Sequence, residues 1–399
     1  MLTPLAALTL AAAPPPASVA VAFDREGRVE TRVVEGMADR DAGWMLTADD
    51  PARIASISKL VVALGVMRLV EAGALDLDRD VSDYLGWRLR APGHPDTPVT
   101  LAQLLGHRAG LTDAVDYALP LGTDLEAVLR DPRAWDLARP PGGDFAYANL
   151  NYPVVAAVIE AATGERFDRA MARLVFSPLT LDACFNWTTC SDAAVARAVV
   201  LYGADGGVQR DDLKGRRPAC PVVPAADGSC DLSTYRLGRH GAGFSPQGGL
   251  RISANGLARI GVMLLRRGDG FLTPDSLARL EAMAPVHPAS GEGTGGFFCE
   301  YGLAMHSTGG PALAGPACRD DLFGDGRLRL GHSGDAYGLR SGLWFDLERG
   351  QGIAYFTTQV PEGEKGERSA YSAAEERLVD AALRRTADAS PLASPATAH

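Results

Sequence analysis

The chain has 399 residues, 46% of them hydrophobic and 22% charged, with a formal net charge of -10; it is long enough for one large catalytic domain with an insert, or for two ordinary domains. The acidic balance and the lack of any dense Lys/Arg run exclude a phosphate-backbone partner, which clustered cations would have to neutralise, so no nucleic acid is expected. No stretch reaches the roughly 20 apolar residues that a membrane-spanning helix needs, and stable membrane insertion is not expected either.

Residues 2–13 form an alanine-rich apolar run followed by Pro14-Pro15-Pro16-Ala17. Although no Lys or Arg precedes the run, it resembles the hydrophobic segment of a signal peptide, and residues 1–17 are read as that or as an unstructured N-terminus. Residues 18–23 and 29–37, separated by Asp24-Arg25-Glu26-Gly27, read as a β-hairpin. Over 55–72, Leu60, Leu64, Met67 and Val70 recur at helical spacing with Val61 and Val62 beside them, and Gly73 stands past the end. A helix apolar on most sides belongs in the middle of a protein. From 75 to 285 the pattern is mainly helical and loop-rich, with Thr100 as N-cap of a helix at 101–107 and further helices at 151–162 and 253–267. Within it, residues 184–249 are rich in Gly, Pro and Asp and read as a long irregular excursion. Strands return at 297–306, 328–332, 342–345 and 352–358, followed by a helix at 372–384 and a disordered Ala/Ser/Pro/Thr tail at 387–399. The expected fold is α+β: an antiparallel β-sheet flanked by helices, built from residues 18–74 and 287–386, with a largely helical subdomain, 75–286, inserted. A cleft between the halves is where a ligand site would form.

The six cysteines fall as near neighbours, Cys184 with Cys190, Cys220 with Cys230 and Cys299 with Cys318. Three local disulfides are expected, and with them an oxidising compartment, periplasmic or secreted; free thiols in a cytosolic protein are the alternative. Neither Cys-x-x-Cys nor His-Glu-x-x-His occurs, so no metal site is expected.

Ser56-Ile57-Ser58-Lys59 opens the buried helix, which places Ser56 and Lys59 one turn apart on the same face. A serine hydroxyl becomes a nucleophile when a neighbour takes its proton, and a desolvated lysine can be that base. Arginine cannot, and in a chain whose only lysines are Lys59, Lys214 and Lys365 the choice at this position is pointed. Tyr147-Ala148-Asn149 precedes the apolar helix at 151–162: Tyr147 is placed to relay protons, and Asn149 to hold either Lys59 or a substrate amide. Taken singly, Tyr147 reads more readily as a packed aromatic and Asn149 as a helix cap. Gly331-His332-Ser333-Gly334-Asp335 lies in the late strand run, where Gly334 lets a ligand or backbone come close and the N–H of Asp335 would join that of Ser56 as an oxyanion donor.

Ser-x-x-Lys, Tyr-x-Asn and His-x-Gly in that order resemble the serine β-lactamase and penicillin-binding-protein superfamily, in the branch of class C β-lactamases, D,D-peptidases, D-aminopeptidases and related esterases. Leu104 to Leu111, Ser245 to Leu250 and Leu339 to Trp344 resemble it too, and the similarity runs from about Ser18 to Arg384. The resemblance implies an acyl-enzyme hydrolase without a cofactor: Ser56 as nucleophile, Lys59 and Tyr147 as acid and base, and Asn149, His332, Gly334 and Asp335 about the substrate. The acyl donor is a small molecule or peptide, whether D-peptide, ester or β-lactam, and a sensor that is only acylated is the non-turnover variant. Two departures stand out. His332 occupies a place where many β-lactamases have Lys, and Gly106 one where the family usually has Thr. No Gly-x-Ser-x-Gly elbow occurs.

Overall fold

The computed structural model describes residues 14–286, 296–310 and 317–387. The apolar run at 2–13 and residues 388–399 of the tail lie outside the described residues; Ala387 itself ends the last helix.

An eight-stranded antiparallel sheet holds strands from both ends of the chain, in the order Ala284–Pro285, Glu300–Tyr301, His306–Thr308, Arg329–Ala336, Leu339–Asp346, Gln351–Thr357, Ser18–Asp24, Val29–Glu35. Ser18 lies opposite Thr357 and Asp24 opposite Gln351, so the first strand of the chain is zipped along its whole length to the last. Strand residues alternate between faces. Val19, Val21 and Phe23 therefore pack into the large core with the helices Ile57–Glu71 and Ala254–Leu265, while Ala20, Trp344 and Tyr355 pack under the helix Ala373–Ala387. The sheet is thus covered on both faces.

Several expected strands have different limits. The one expected at 297–306 is divided into Glu300–Tyr301 and His306–Thr308, because Ala304 takes a left-handed φ of 60° that no strand accommodates. The one expected at 328–332 runs on to Ala336 and so carries Gly334 and Asp335 as strand residues. Its hairpin to Leu339–Asp346 closes through Tyr337 and Gly338, both at positive φ (56° and 73°), which is the turn whose twist matches that of the flanking strands. The excursion at 184–249 contains short strands at Cys184–Phe185, Leu201–Tyr202 and Val208–Arg210.

The helix Ile57–Glu71 is buried at every residue from Ile57 to Met67, as its all-round apolar character required. Thr100 caps the helix Leu101–Leu105 through a reciprocal bond with Gln103. A second small sheet, Ala52–Arg53 with Leu250–Ile252 and Cys184–Phe185, leads the chain into the Ile57 helix. All three disulfides join the near neighbours: Cys184–Cys190, Cys220–Cys230 and Cys299–Cys318.

The Phe23 ring fits between two glycines: a Cβ on Gly261 of the Ala254–Leu265 helix would stand 2.1 Å from it and one on Gly352 2.2 Å. Alanine normally improves a helix interior. Here Gly261→Ala should instead cost roughly 1–3 kcal/mol in urea unfolding, since a buried ring has nowhere to go; a gain in stability would refute this packing.

Candidate active site

Ser56 stands at the point where the small sheet becomes a helix. Ala55 holds a left-handed φ of 49°, unusual for a residue with a Cβ, and Ser58 fixes the bend: its hydroxyl donates to Ala55 O (2.6 Å) and accepts the N–H of Leu250 (3.0 Å). The bend lets Ser56 face the cleft while Lys59, one turn later, is fully buried beneath it.

The Lys59 ammonium has three acceptors: Ser56 Oγ at 3.0 Å, Asn149 Oδ1 at 2.9 Å and the Gln247 carbonyl at 2.8 Å. Among the described residues no carboxylate forms an ion pair with it. Burial pulls its pKa from 10.5 down to about 7, with the more distant Asp113 opposing. Near neutrality the amine is therefore divided between its charged and its neutral, basic form.

Tyr147 is held between the rings of His107 (4.3 Å) and Phe298 (5.0 Å), and its ring face lies 4.9 Å from Lys59 Nζ. Burial pushes its phenol well up, with the Ser56 hydroxyl beside it pulling the other way, so it stays protonated at any physiological pH. Of the two tasks open to Asn149, the structure shows it holding Lys59. Its amide is fixed in turn by Asp113, which accepts from Asn149 Nδ2 (2.9 Å), Asn149 N (2.9 Å) and Leu150 N (3.0 Å). His107 accepts the Ala148 N–H on Nδ1 (3.1 Å), and burial, then the Lys59 charge, hold its pKa well below the usual value. A neutral ring stacked on Tyr147 thus anchors the same loop.

The strand Arg329–Ala336 forms the opposite wall. Gly334 is required by close approach: a Cβ there would stand 2.4 Å from Ile54 O and 3.2 Å from Ala55 Cβ. Ser341 Oγ, donating to Ile54 O at 2.9 Å, ties the neighbouring strand to the Ser56 bend. His332 is fully buried; Nδ1 donates to Ser333 O (2.5 Å) and Nε2 accepts from Tyr301 (3.1 Å). Burial, then the neighbouring His306, push its pKa well below the usual value, so it brings no positive charge to the cleft. The Asp335 carboxylate pairs with Arg340 directly across the hairpin. Its backbone N–H points elsewhere. The Ser333 N–H donates to His306 Nε2 (3.2 Å), away from the Leu339–Asp346 strand, and alternation puts the Asp335 N–H on that same side. The neighbouring strand pairs no further than His306 with Gly331, which leaves the Asp335 N–H facing the cleft.

The structure thus brings Ser56, Lys59, Tyr147 and Asn149 together, with Gly334 and the Asp335 backbone opposite, around a cleft of about 1230 Å³. His332 lies behind the wall with both nitrogens engaged. Sequence reasoning gave no role to Asp113, His107 or Gln247; the last two fall in stretches that carry the family resemblance, and Asp113 has no local signal. The one group of potential metal ligands among the described residues is Cys299, Cys318 and Asp320, whose two sulfurs are already spent on a disulfide.

The Beta-lactamase family model matches residues 13–378. Esterase EstB of Burkholderia gladioli is 29% identical over 362 residues, 86% of each chain. Penicillin-binding protein 4 of Amycolatopsis lactamdurans is 31% identical over 152 residues, 37% of this chain and 39% of its own. The solved structure of D-amino acid amidase from Ochrobactrum anthropi SV3, complexed with D-phenylalanine, aligns at a TM-score of 0.65 over 94% of this chain and 95% of its own, with 19% identity, a likeness of fold.

Since Asp113 is the acceptor that fixes the amide holding Lys59, Asp113→Ala should slow labelling of Ser56 by a fluorophosphonate probe about 10- to 100-fold, the worth of a charged hydrogen bond. A rate within about twofold of wild type would show that Asn149 is held without it.

Proposed function

We infer, since the chain belongs to the Beta-lactamase family, that it is a serine hydrolase that cleaves an ester or amide through an acyl-enzyme on Ser56. One observation carries the reading: a fully buried lysine, paired with no carboxylate among the described residues and poised near neutrality, 3.0 Å from the Ser56 hydroxyl. Ser56 Oγ attacks the carbonyl carbon and its proton passes to neutral Lys59 Nζ. The carbonyl oxygen gathers its negative charge between the N–H groups of Ser56 and Asp335. As the bond to the leaving group breaks, Tyr147 gives it the phenolic proton and recovers one from Lys59, which is thereby neutral again for the next step. Water then attacks the acyl-enzyme, losing its proton to the same pair, and Ser56 is restored. The high phenol and the low amine suit this division: the tyrosine donates and the lysine accepts.

Esterase EstB and D-amino acid amidase point to ester or amide acyl donors, small molecules or short peptides, and we favour the ester. The neutral, engaged His332 supports that choice over a β-lactamase proper, because it offers no cation to the carboxylate of a β-lactam. The three disulfides support an oxidising compartment, periplasmic or secreted, and the apolar run at 2–13 supports an exporting segment that ends before Ala17, whose buried backbone pairs with Thr358 in the folded protein.

The reading is tested by following intact mass after mixing with p-nitrophenyl butyrate, benzylpenicillin or a fluorophosphonate, beside Ser56→Ala. A one-equivalent adduct confined to wild type, with turnover of the ester, is the expected result. Normal hydrolysis by Ser56→Ala would refute it. Because Lys59 must be neutral to act, kcat/KM should rise about tenfold per pH unit below about 7 and level off above it. A profile flat from pH 5 to 9 would remove Lys59 as the base. Lys59→Arg, which keeps the charge but cannot give it up, should lose at least about 100-fold.

A further inference from the structure

The end of the cleft beyond the reacting atoms holds more positive charge than its acidic neighbours neutralise. Arg53 lies opposite Arg251 in the small sheet. Arg251 is fully occupied: it binds Asp211 through Nη2 (2.8 Å) and Nε (3.1 Å), and Nη1 donates to Asn186 Oδ1 (2.6 Å) and Gly249 O (2.8 Å). Arg53 has no such partner. Among the described residues its side chain makes no hydrogen bond or ion pair, its Nε is buried unsatisfied, and its guanidinium lies 5.0 Å from the centre of the Tyr337 ring. Arg210 approaches the same ring at 4.7 Å and donates to the Tyr337 hydroxyl (3.2 Å), again with no carboxylate. All three arginines and Tyr337 line the cleft. Of the acidic groups nearby, Asp211 is spent on Arg251, Asp212 pairs with Lys214 at 3.0 Å, Asp335 pairs with Arg340, and Asp116 is exposed to solvent. Burial, then Arg251, draw Arg53 down to about 10, so it is still a cation at neutral pH.

Asp211 acts on Arg53 only across space; a desolvated cation with no carboxylate bonded to it is a cost that the fold carries in the absence of ligand, and an entering carboxylate would reduce it. Tyr337 adds to the impression of a built site. It is held at a left-handed φ of 56° at the tip of the hairpin, where both guanidiniums lie within about 5 Å of its ring centre and neither meets a carboxylate among the described residues.

The direction of the substrate follows from the strand. Tyr147, which faces the leaving group, stacks on Phe298 and lies near Tyr301, the partner of His332. The acyl group must leave the oxyanion position the other way, past Asp335 and toward Tyr337, two residues or about 7 Å farther along the chain.

We propose that Arg53 and Arg210, arranged about Tyr337, form a carboxylate-binding subsite at the acyl end of the cleft, so that the preferred acyl donors carry a negative charge there, as the half-ester or half-amide of a dicarboxylic acid does. The proposal rests on the acyl-enzyme reading above and names the substrate class of that same site.

The test compares kcat/KM for p-nitrophenyl hexanoate and for the p-nitrophenyl half-ester of adipate, whose extended chain ends in a carboxylate at about that reach. Wild type should favour the adipate ester. Arg210→Met should lower the adipate-to-hexanoate ratio about tenfold or more, Arg53→Met likewise, and Arg210→Lys should keep part of the preference. Arg210 is exposed on a short strand, so its variants carry the test even if Arg53→Met fails to fold. A wild-type ratio at or below one, or a ratio unchanged by Arg210→Met, would overturn the subsite while Ser56-dependent turnover of hexanoate kept the hydrolase reading intact. If neither ester acylated Ser56, the hydrolase reading would fall and the subsite with it.

Discussion

The structure turns on one hydrogen bond, from a buried amine to a serine hydroxyl. Drawing Lys59 from 10.5 to about 7 costs on the order of 5 kcal/mol in the stability of its charged form. Neighbouring features serve to sustain that cost. The Ile57–Glu71 helix is apolar all round, so water cannot reach the amine from below. The Gln247 carbonyl and the Asn149 amide give it neutral acceptors in place of an anion, which would have returned its pKa toward the ordinary value. Asp113, the nearest charge, acts through that amide instead of touching the amine.

Much of this was legible before any coordinates. The Ile57 helix announced itself because its apolar residues recur at the helical period and Gly73 ends the pattern, and the buried Ser-x-x-Lys at its start carried chemical meaning of its own. The near-neighbour cysteines likewise left little choice of pairing. Other parts were hidden for physical reasons. Strands of two or three residues, such as Ala284–Pro285 and Glu300–Tyr301, are too short to show alternation. The run Ser333-Gly334-Asp335-Ala336 has no apolar rhythm, so the cleft strand seemed to stop at His332. Asp113 was invisible because it works through backbone N–H groups and another side chain, contacts that leave no spacing rule behind. The sequence also did not distinguish a His332 that faces substrate from one locked behind the wall; burial and Tyr301 decide that.

The two ends of the cleft differ in electrical character. Around Tyr147 and His332 the surroundings are neutral and aromatic, and burial keeps the histidines there, His107, His306 and His332, uncharged. Around Tyr337 stand arginines. Between them the glycine at 334 brings the strand within contact of the bend that carries Ser56. Reaction and selection thus occupy separate stretches of one groove, and loops such as 184–249, which carries Arg210 and Asp211, can vary the second without disturbing the first.

The zipping of Ser18–Asp24 between Val29–Glu35 and Gln351–Thr357 bears on how the chain is made. A ribosome delivers the first strand long before its second partner exists, and the Ala17 backbone awaits Thr358, 341 residues later. Such distant pairing is slow, since loop closure precedes any reward in contacts. The sheet therefore cannot close on a growing chain, and the nascent protein stays open until synthesis is nearly complete. The topology that joins the two ends of the chain thus makes the end of synthesis a condition of folding: the sheet is completed only by the last residues to be made.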